Sequence, residues 1–354
     1  MFCQKNGTGN RDSARKPADN RTSPKYNFRH VLMSLFWPLD FQGAIQVLMA
    51  DPERRLKMIP SPRDASVLAL QSLLDEFGKV TVLSGAGCST ASGIPDYRDD
   101  GGNWKHRRPV QLAEFLTSPA TRRRYWARSF AGWERISNAK PNTAHLALAA
   151  LERLNKVDCV ITQNVDDLHR RAGSRNVIDL HGLLHRVRCL GCGATLARDE
   201  FQQQLAYGNP DWSATVAGFA PDGDARLVAS DFGDFRVPDC ETCGGTLKPD
   251  VVFFGEGVPA ERVEFATASV RRSDALLIVG SSLMVLSGLR FARMASALDK
   301  AVIIINRGTT RADDLATTKL TDDCGALLSS VVDRLTKEHN GNARQGNRRL
   351  DGGF

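Results

Sequence analysis

The 354-residue chain is predicted to be an α/β protein, a doubly wound parallel sheet carrying one small inserted module. Three observations predict this. Four short apolar runs end abruptly in small or polar residues, the pattern of strands buried on both faces. Helical periodicity fills the stretches between them, as right-handed crossovers require. A loop-rich segment with two C-x-x-C pairs then breaks the alternation. With 42% hydrophobic and 25% charged residues, the chain has the apolar material for a core of domain size.

Residues 1–60 read as a disordered leader, with Met33, Met49 or Met58 as an alternative start. A weak organelle-targeting segment is the competing reading. Against it, Asp12, Asp19 and several prolines and glycines spoil an amphipathic transit helix, and the leader is long for a secretory signal. The apolar patch from Val31 to Ala50 is broken by Pro38, Asp40, Gln42, Gly43 and Gln46. It falls short of the roughly 20 uninterrupted apolar residues of a membrane span. After Pro60, Val67, Leu68, Leu70, Leu73, Leu74 and Phe77 recur at helical spacing, and Lys79 to Leu83 reads as the first strand.

The four runs are VTVL before Ser84-Gly85-Ala86-Gly87, DCVI before Thr162-Gln163-Asn164, ALLIV before Gly280-Ser281-Ser282, and VIII before Asn306-Arg307-Gly308. Helical patterns such as Ala144 to Leu154 and Val263 to Arg271 lie between them. Any one run could end in an ordinary turn. Four together point to a nucleotide site at the carboxyl ends of a Rossmann-like sheet. Residues 61–182 and 249–336 are expected to form that domain, 183–248 the inserted module, and the polar, glycine-rich 337–354 a disordered tail.

The net charge of +7 raises the question of nucleic acid. Ten basic and five acidic side chains lie in residues 1–60, and four and two in 337–354, leaving 33 of each between. A neutral core is a poor phosphate-backbone binder. Arg122, Arg123, Arg124 and Arg128, interleaved with Tyr125, Trp126, Phe130 and Trp133, read instead as the wet and dry faces of one helix. The eight cysteines, four of them in C-x-x-C pairs, do not form a secreted disulfide framework.

Gly85, Gly87 and Gly93 follow the first strand, where glycines let backbone N–H groups approach a pyrophosphate at the positive end of the next helix. The match to G-x-G-x-x-G is imperfect, with Thr90 at the third position and no acidic residue ending a clear second strand. That weakens a plain dehydrogenase reading. His181 falls just past a strand, where a near-neutral pKa suits a general base, while a structural hydrogen-bonding role is the alternative. Asn164 and Asp166 at a strand end could equally serve as helix N-caps.

More specific are Ser89-Thr90-Ala91-Ser92-Gly93-Ile94-Pro95-Asp96-Tyr97-Arg98, then Pro141-Asn142-Thr143-Ala144-His145, Thr162-Gln163-Asn164-Val165-Asp166, His181-Gly182, Lys248 to Glu256 and Gly280-Ser281-Ser282-Leu283. In this order, and with the paired cysteines, they resemble the sirtuin family of NAD-dependent protein lysine deacylases over residues 63 to 333. In detail they look most like its class II branch of mitochondrial and related bacterial members. The resemblance implies that His181 accepts a proton from a ribose hydroxyl of NAD. Asn164 would position the ribose and water, Asp166 with Ile94 the nicotinamide carboxamide, and Gln163 the ribose. The rest of the expected cofactor site is Gly85, Ala86, Gly87, Ser89, Ser92, Pro95, Asp96, Tyr97, Arg98, Trp104, Gly280, Ser281, Ser282, Asn306, Gly308 and a turn at Cys324 acting through its backbone.

In the implied reaction NAD is consumed. The acyl-lysine carbonyl oxygen attacks the anomeric carbon, nicotinamide leaves, and His181 activates a ribose hydroxyl that captures the acyl carbon. Hydrolysis yields lysine and O-acyl-ADP-ribose. Stray water must be excluded, and Asp99-Asp100-Gly101-Gly102-Asn103 beside Trp104 reads as a mobile lid or an ordinary surface turn. Cys88 is expected to pack, although a thiol at a helix N-terminus can be acidified.

Cys189, Cys192, Cys240 and Cys243 offer the soft tetrahedral set that structural zinc takes, although the 47 residues between the pairs exceed the usual ribbon spacing. By resemblance, Val252, Phe253, Phe254, Gly255 and Glu256 present an extended edge and apolar channel to the acyl-lysine peptide. The expected partners are thus acyl-lysine proteins or peptides and NAD, with no nucleic acid and no membrane. A monomer in a bacterial cytoplasm is expected, the mitochondrial matrix being the alternative. Protein mono-ADP-ribosylation from the same site and a non-catalytic zinc-ribbon binder are the competing functions. Sirtuins that prefer acidic acyl chains carry a Tyr-x-x-Arg pair, which does not align securely here, so neutral acyl groups are expected.

Overall fold

The computed structural model describes residues 61–105, 109–220, 222–228 and 232–350. The expectations for the leader lie outside the described residues, as does the end of the tail at 351–354.

Helix α1 (Pro62–Glu76) starts where Pro62 fills the first turn and the Ser61 hydroxyl caps the Asp64 N–H. It buries Val67, Leu70 and Leu74 and feeds β1 (Val80–Ser84), a strand with every residue buried. Two short 3-10 turns, Ala86–Cys88 and Thr90–Ser92, follow β1. They stand where a helix with a phosphate-binding N-terminus was expected. Helices α2 (Leu112–Thr117), α3 (Pro119–Asn138) and α4 (Thr143–Arg153) lead to β2 (Val157–Thr162). The one-turn α5 (Leu168–Arg171) leads to β3 (Val177–Asp179).

The second module contains β4 (Gly182–Cys189), β5 (Thr195–Ala197), α6 (Arg198–Gly208), β6 (Val216–Phe219), β7 (Ala225–Leu227) and β8 (Leu247–Val251). The chain then returns through α7 (Ala260–Arg272), β9 (Ala275–Val279), α8 (Leu286–Ala297), β10 (Ala301–Ile305), β11 (Thr318–Leu320) and α9 (Cys324–Leu350).

The large sheet is parallel throughout, in the order β11-β10-β9-β1-β2-β3. The order runs outward in both directions from β1 and β9, which makes the gap beyond their carboxyl ends the switch point. Ser84 is level with Thr162 on one side and Val279 on the other, so Gly85, Gln163 and Gly280 leave the sheet together. Alternate strand residues supply two apolar layers. Ala275, Leu277 and Val279 join Leu70, Leu148 and Leu328 on one face, while Leu276 and Ile278 join Val270, Leu289 and Phe291 on the other.

A three-stranded antiparallel sheet, β5-β4-β8, forms the second module. Helices α2 and α3 belong to its core and not to the large sheet's. Phe115, Tyr125, Trp126 and Trp133 pack with Val187, Phe201, Phe235 and Leu247. The physical reason is that both faces of the large sheet are already covered. The expected boundary at 248/249 falls inside β8. The tail from Lys337 is helical as far as Leu350 rather than unstructured, since each added residue extends an existing helix by one hydrogen bond without a new nucleation cost. Among the described residues no helix is long and apolar enough to cross a membrane.

Candidate active site

A cavity of about 1180 Å³ opens at the switch point and extends toward the small sheet. Glycine makes its floor possible. A Cβ on Gly85 would lie 2.7 Å from Cβ of Ser281, and one on Gly280, at φ +58°, would lie 2.4 Å from the Cys88 nitrogen. The loops after β1 and β9 therefore touch backbone to backbone. Every residue expected at the catalytic, cofactor and substrate positions lines the cavity except Ser92, which sits behind the wall and accepts from Asn142 Nδ2 at 3.0 Å.

The polar centre is a connected set. Ser89 Oγ donates to Asp166 Oδ2 at 2.6 Å and accepts from Asn164 Nδ2 at 3.0 Å. Asn164 Nδ2 also reaches the Gly85 carbonyl at 3.1 Å, and Asp166 Oδ1 accepts from the Leu168 N–H. His145 accepts the Asn142 N–H at Nδ1, which leaves Nε2 to carry the proton 3.4 Å from Ser89 Oγ. Burial lowers the pKa of His145, opposed by the charge of Asp166.

His181 has a defined tautomer. Its Nδ1 lies 2.9 Å from the Gln163 carbonyl, which can only accept, so Nδ1 bears the proton and Nε2 is the lone-pair atom. Burial lowers its pKa against the bond to Gln163, and the charge of Arg262 lowers it further. The imidazole is therefore a neutral base at pH 7. Gln163 is itself fixed, its Nε2 donating to Ser281 Oγ at 2.8 Å.

The segment Asp99 to Asn103 forms a hydrogen-bonded turn that is also tied to the loop after β10. Asp99 Oδ1 takes the Asn103 N–H at 2.8 Å, and the Asp100 carbonyl takes the Thr309 N–H at 2.9 Å. Arg98 stacks on Trp104 at 4.1 Å and donates to the Gly102 carbonyl. Asn306 Nδ2 donates to the Gly308 carbonyl. Cys88 is buried, and its thiol pKa is pushed up by the Cys324 sulfur and by burial, so it is not acidified.

Val252 donates to the His181 carbonyl and Phe254 accepts from the Leu112 N–H, but the segment turns at Gly255, φ +81°, and is not extended through Glu256. Buried Lys248 pairs with Glu256 at 3.0 Å, and Glu256 takes the Phe253 N–H. Phe253 packs on Phe115 and Tyr125, and Phe254 on Trp104.

Several lining residues were not anticipated, among them Tyr125, Asp222, Met284, Ser287 and Arg290. One signal was available: Tyr125 and Arg128 have the Tyr-x-x-Arg spacing. Tyr125 lines the cavity, but Arg128 turns to Asp224 at 3.5 Å and to the Ala225 carbonyl. Burial, with the charges of Asp222 and Asp224, raises the pKa of Tyr97 and of Tyr125 well above the usual tyrosine value.

In the small module the four cysteine sulfurs lie within 4.8 Å of one another, with Cys189–Cys243 at 3.5 Å and Cys192–Cys240 at 3.8 Å. Four thiolates about 2.3 Å from one metal ion stand about 3.8 Å apart. The cluster fits one structural zinc ion, and four protein ligands leave no open position for catalysis.

A family model described as Sir2 family matches residues 85–287. The chain belongs to the Sir2 family. A curated relative, NAD-dependent protein deacetylase 2 of Bradyrhizobium diazoefficiens, is 54% identical over 264 residues, covering 75% of this chain and 97% of the relative. The NAD-dependent protein deacetylase of Bordetella bronchiseptica is 50% identical over 270 residues, covering 76% and 98%. Among solved structures, a Sir2 protein with a p53 peptide and NAD+ superposes with a TM-score of 0.61 at 29% identity, covering 77% of this chain and 98% of that one. The Sir2 fold explains why the cavity lies between two modules: the switch point of the large sheet and the β4–β8 edge share its walls.

Proposed function

We propose that this Sir2 protein is an NAD-dependent protein lysine deacetylase that turns NAD, acyl-lysine and water into nicotinamide, free lysine and O-acyl-ADP-ribose. The observation that carries it is His181, neutral, with its basic Nε2 on the wall of a cavity whose floor is two abutting glycine loops. The curated deacetylases and the peptide-bound Sir2 structure support the same reaction.

In this proposal Gly85, Ala86 and Gly87 offer their backbone to the pyrophosphate, and Ser281, Ser282, Asn306 and the Cys324 turn hold the adenosine half. Asp166 and Ile94 seat the nicotinamide, and Asn164 holds the ribose and a water. Val252 and Phe253 orient the acyl-lysine, and Phe253, Phe254 and Trp104 keep water from the reacting carbon. His181 is the base that takes up one proton at Nε2 as the ribose hydroxyl gives up its own. The acyl group is neutral, because the Arg128 guanidinium is engaged by Asp224. A monomer in the bacterial cytoplasm completes the proposal, the location being supported by the bacterial relatives.

The test incubates acyl-lysine peptides of different chain lengths with NAD and follows both by mass spectrometry. Acyl loss matched by nicotinamide release is expected, and His181→Ala should abolish acyl loss without unfolding the protein. An ADP-ribose mass added to protein without acyl loss would replace this reading with protein ADP-ribosylation.

A further inference from the structure

The acceptor atom of His181 is already engaged. Ser287 Oγ lies 2.8 Å from Nε2, and because Nδ1 carries the ring proton, the serine must be the donor. A hydroxyl that has given its only proton keeps lone pairs with which to accept another. Building on the deacetylase reading, we propose that Ser287 relays the proton from the ribose hydroxyl of NAD to His181, and so is a further catalytic residue of the reaction.

Three features hold the relay in place. Both partners line the same cavity. Ser287 is the second residue of α8, and the next residue, Gly288, packs so closely on Gln163 that a Cβ there would lie 2.5 Å from Oε1. Gln163 is also the residue whose carbonyl fixes the His181 ring, so one side chain and its backbone position both ends of the relay. Finally, Ser287 sits in the first turn of a twelve-residue helix, whose positive end favours negative charge developing on Oγ while the proton is in transit.

The step balances without a redox partner. The ribose O–H bond breaks as its oxygen bonds to the acyl carbon, and that proton passes to Ser287 Oγ. The proton already on Oγ passes to His181 Nε2, leaving a neutral serine and an imidazolium. Arg262 is the charged residue that acts on this imidazole, and it disfavours the imidazolium, so the proton is readily returned afterwards.

The test compares wild type, Ser287→Ala and Ser287→Thr with an acetyl-lysine peptide. Two rates are read: exchange of labelled nicotinamide into NAD, which precedes base catalysis, and single-turnover acyl removal in mixtures of H2O and D2O. Ser287→Ala should keep the exchange rate and its melting temperature and lose about 100-fold in acyl removal. Ser287→Thr, which keeps the hydroxyl, should recover most of that loss. The wild-type rate should curve with deuterium fraction, as two moving protons require, and the alanine variant's should be linear. Wild-type acyl removal by Ser287→Ala, or a linear wild-type dependence, overturns the relay. Absence of nicotinamide exchange in the wild type overturns the deacetylase reading beneath it.

Discussion

Replacing Gly280 by alanine tests whether the cavity floor depends on two backbones in contact. Gly280 has φ +58°, and a Cβ there would lie 2.4 Å from the Cys88 nitrogen and 2.7 Å from the Gly87 carbonyl carbon. Both neighbours are main chain, so no side chain can rotate away. The left-handed conformation alone costs an L-residue about 1–2 kcal/mol, partly offset by the smaller entropy of an unfolded chain with alanine. Separating the two loops adds about 1–3 kcal/mol of overpacking. Gly244 supplies the control: it has φ +69° and nothing within 4 Å of its Cβ position, so Gly244→Ala isolates the strain. At about 2–4 °C per kcal/mol for a domain of this size, Gly280→Ala should melt roughly 2–12 °C below Gly244→Ala. It should also raise the KM for NAD, while Gly244→Ala should not. Scanning calorimetry and initial-rate kinetics on the two variants read these effects. Equal losses of stability, with NAD kinetics unchanged in both, would refute the claim that close approach of the loops dictates glycine at 280.

Three further outcomes are expected. kcat/KM should stay level as pH falls past 6.5 and decline only through the lowered pKa of His181, which a pH–rate profile will locate; a decline centred above 6.5 would contradict the burial argument. His169, whose burial drives its pKa down to about 3, stays neutral in the fold while the unfolded chain takes up its proton below 6.5. The unfolded state therefore binds more protons in that window, and stability falls with falling pH by at most about 1.4 kcal/mol per unit for this group. Urea titrations between pH 6.5 and 4 should show a shallower slope for His169→Gln, which can still bond to Ser84. Elemental analysis should find one zinc per chain, and Cys189→Ser should lower the metal content and expose the small module to protease before the large sheet.

Local pattern was enough for the strands, the cysteine pairs and the order of the motifs, since a buried strand announces itself by an unbroken apolar run and a ligand loop by glycine at its end. The ends of β1, β2, β9 and β10 could therefore be read along the chain, and with them the glycine floor and polar centre of the cavity. What a helix's apolar face packs against is not a local property: the aromatic side of α3 met the small module because the large sheet had no uncovered face left. Electrostatics was equally a matter of neighbours, as at Cys88, where a distant cysteine and burial reversed the acidification its position suggested. Ser92 stands in the motif yet behind the wall, while Ser287 stands outside it yet 2.8 Å from His181, 106 residues away. Composition and spacing specify which chemistry is available, whereas hydrogen-bond partners are chosen only when the sheet closes and brings the ends of distant strands and helices to one point.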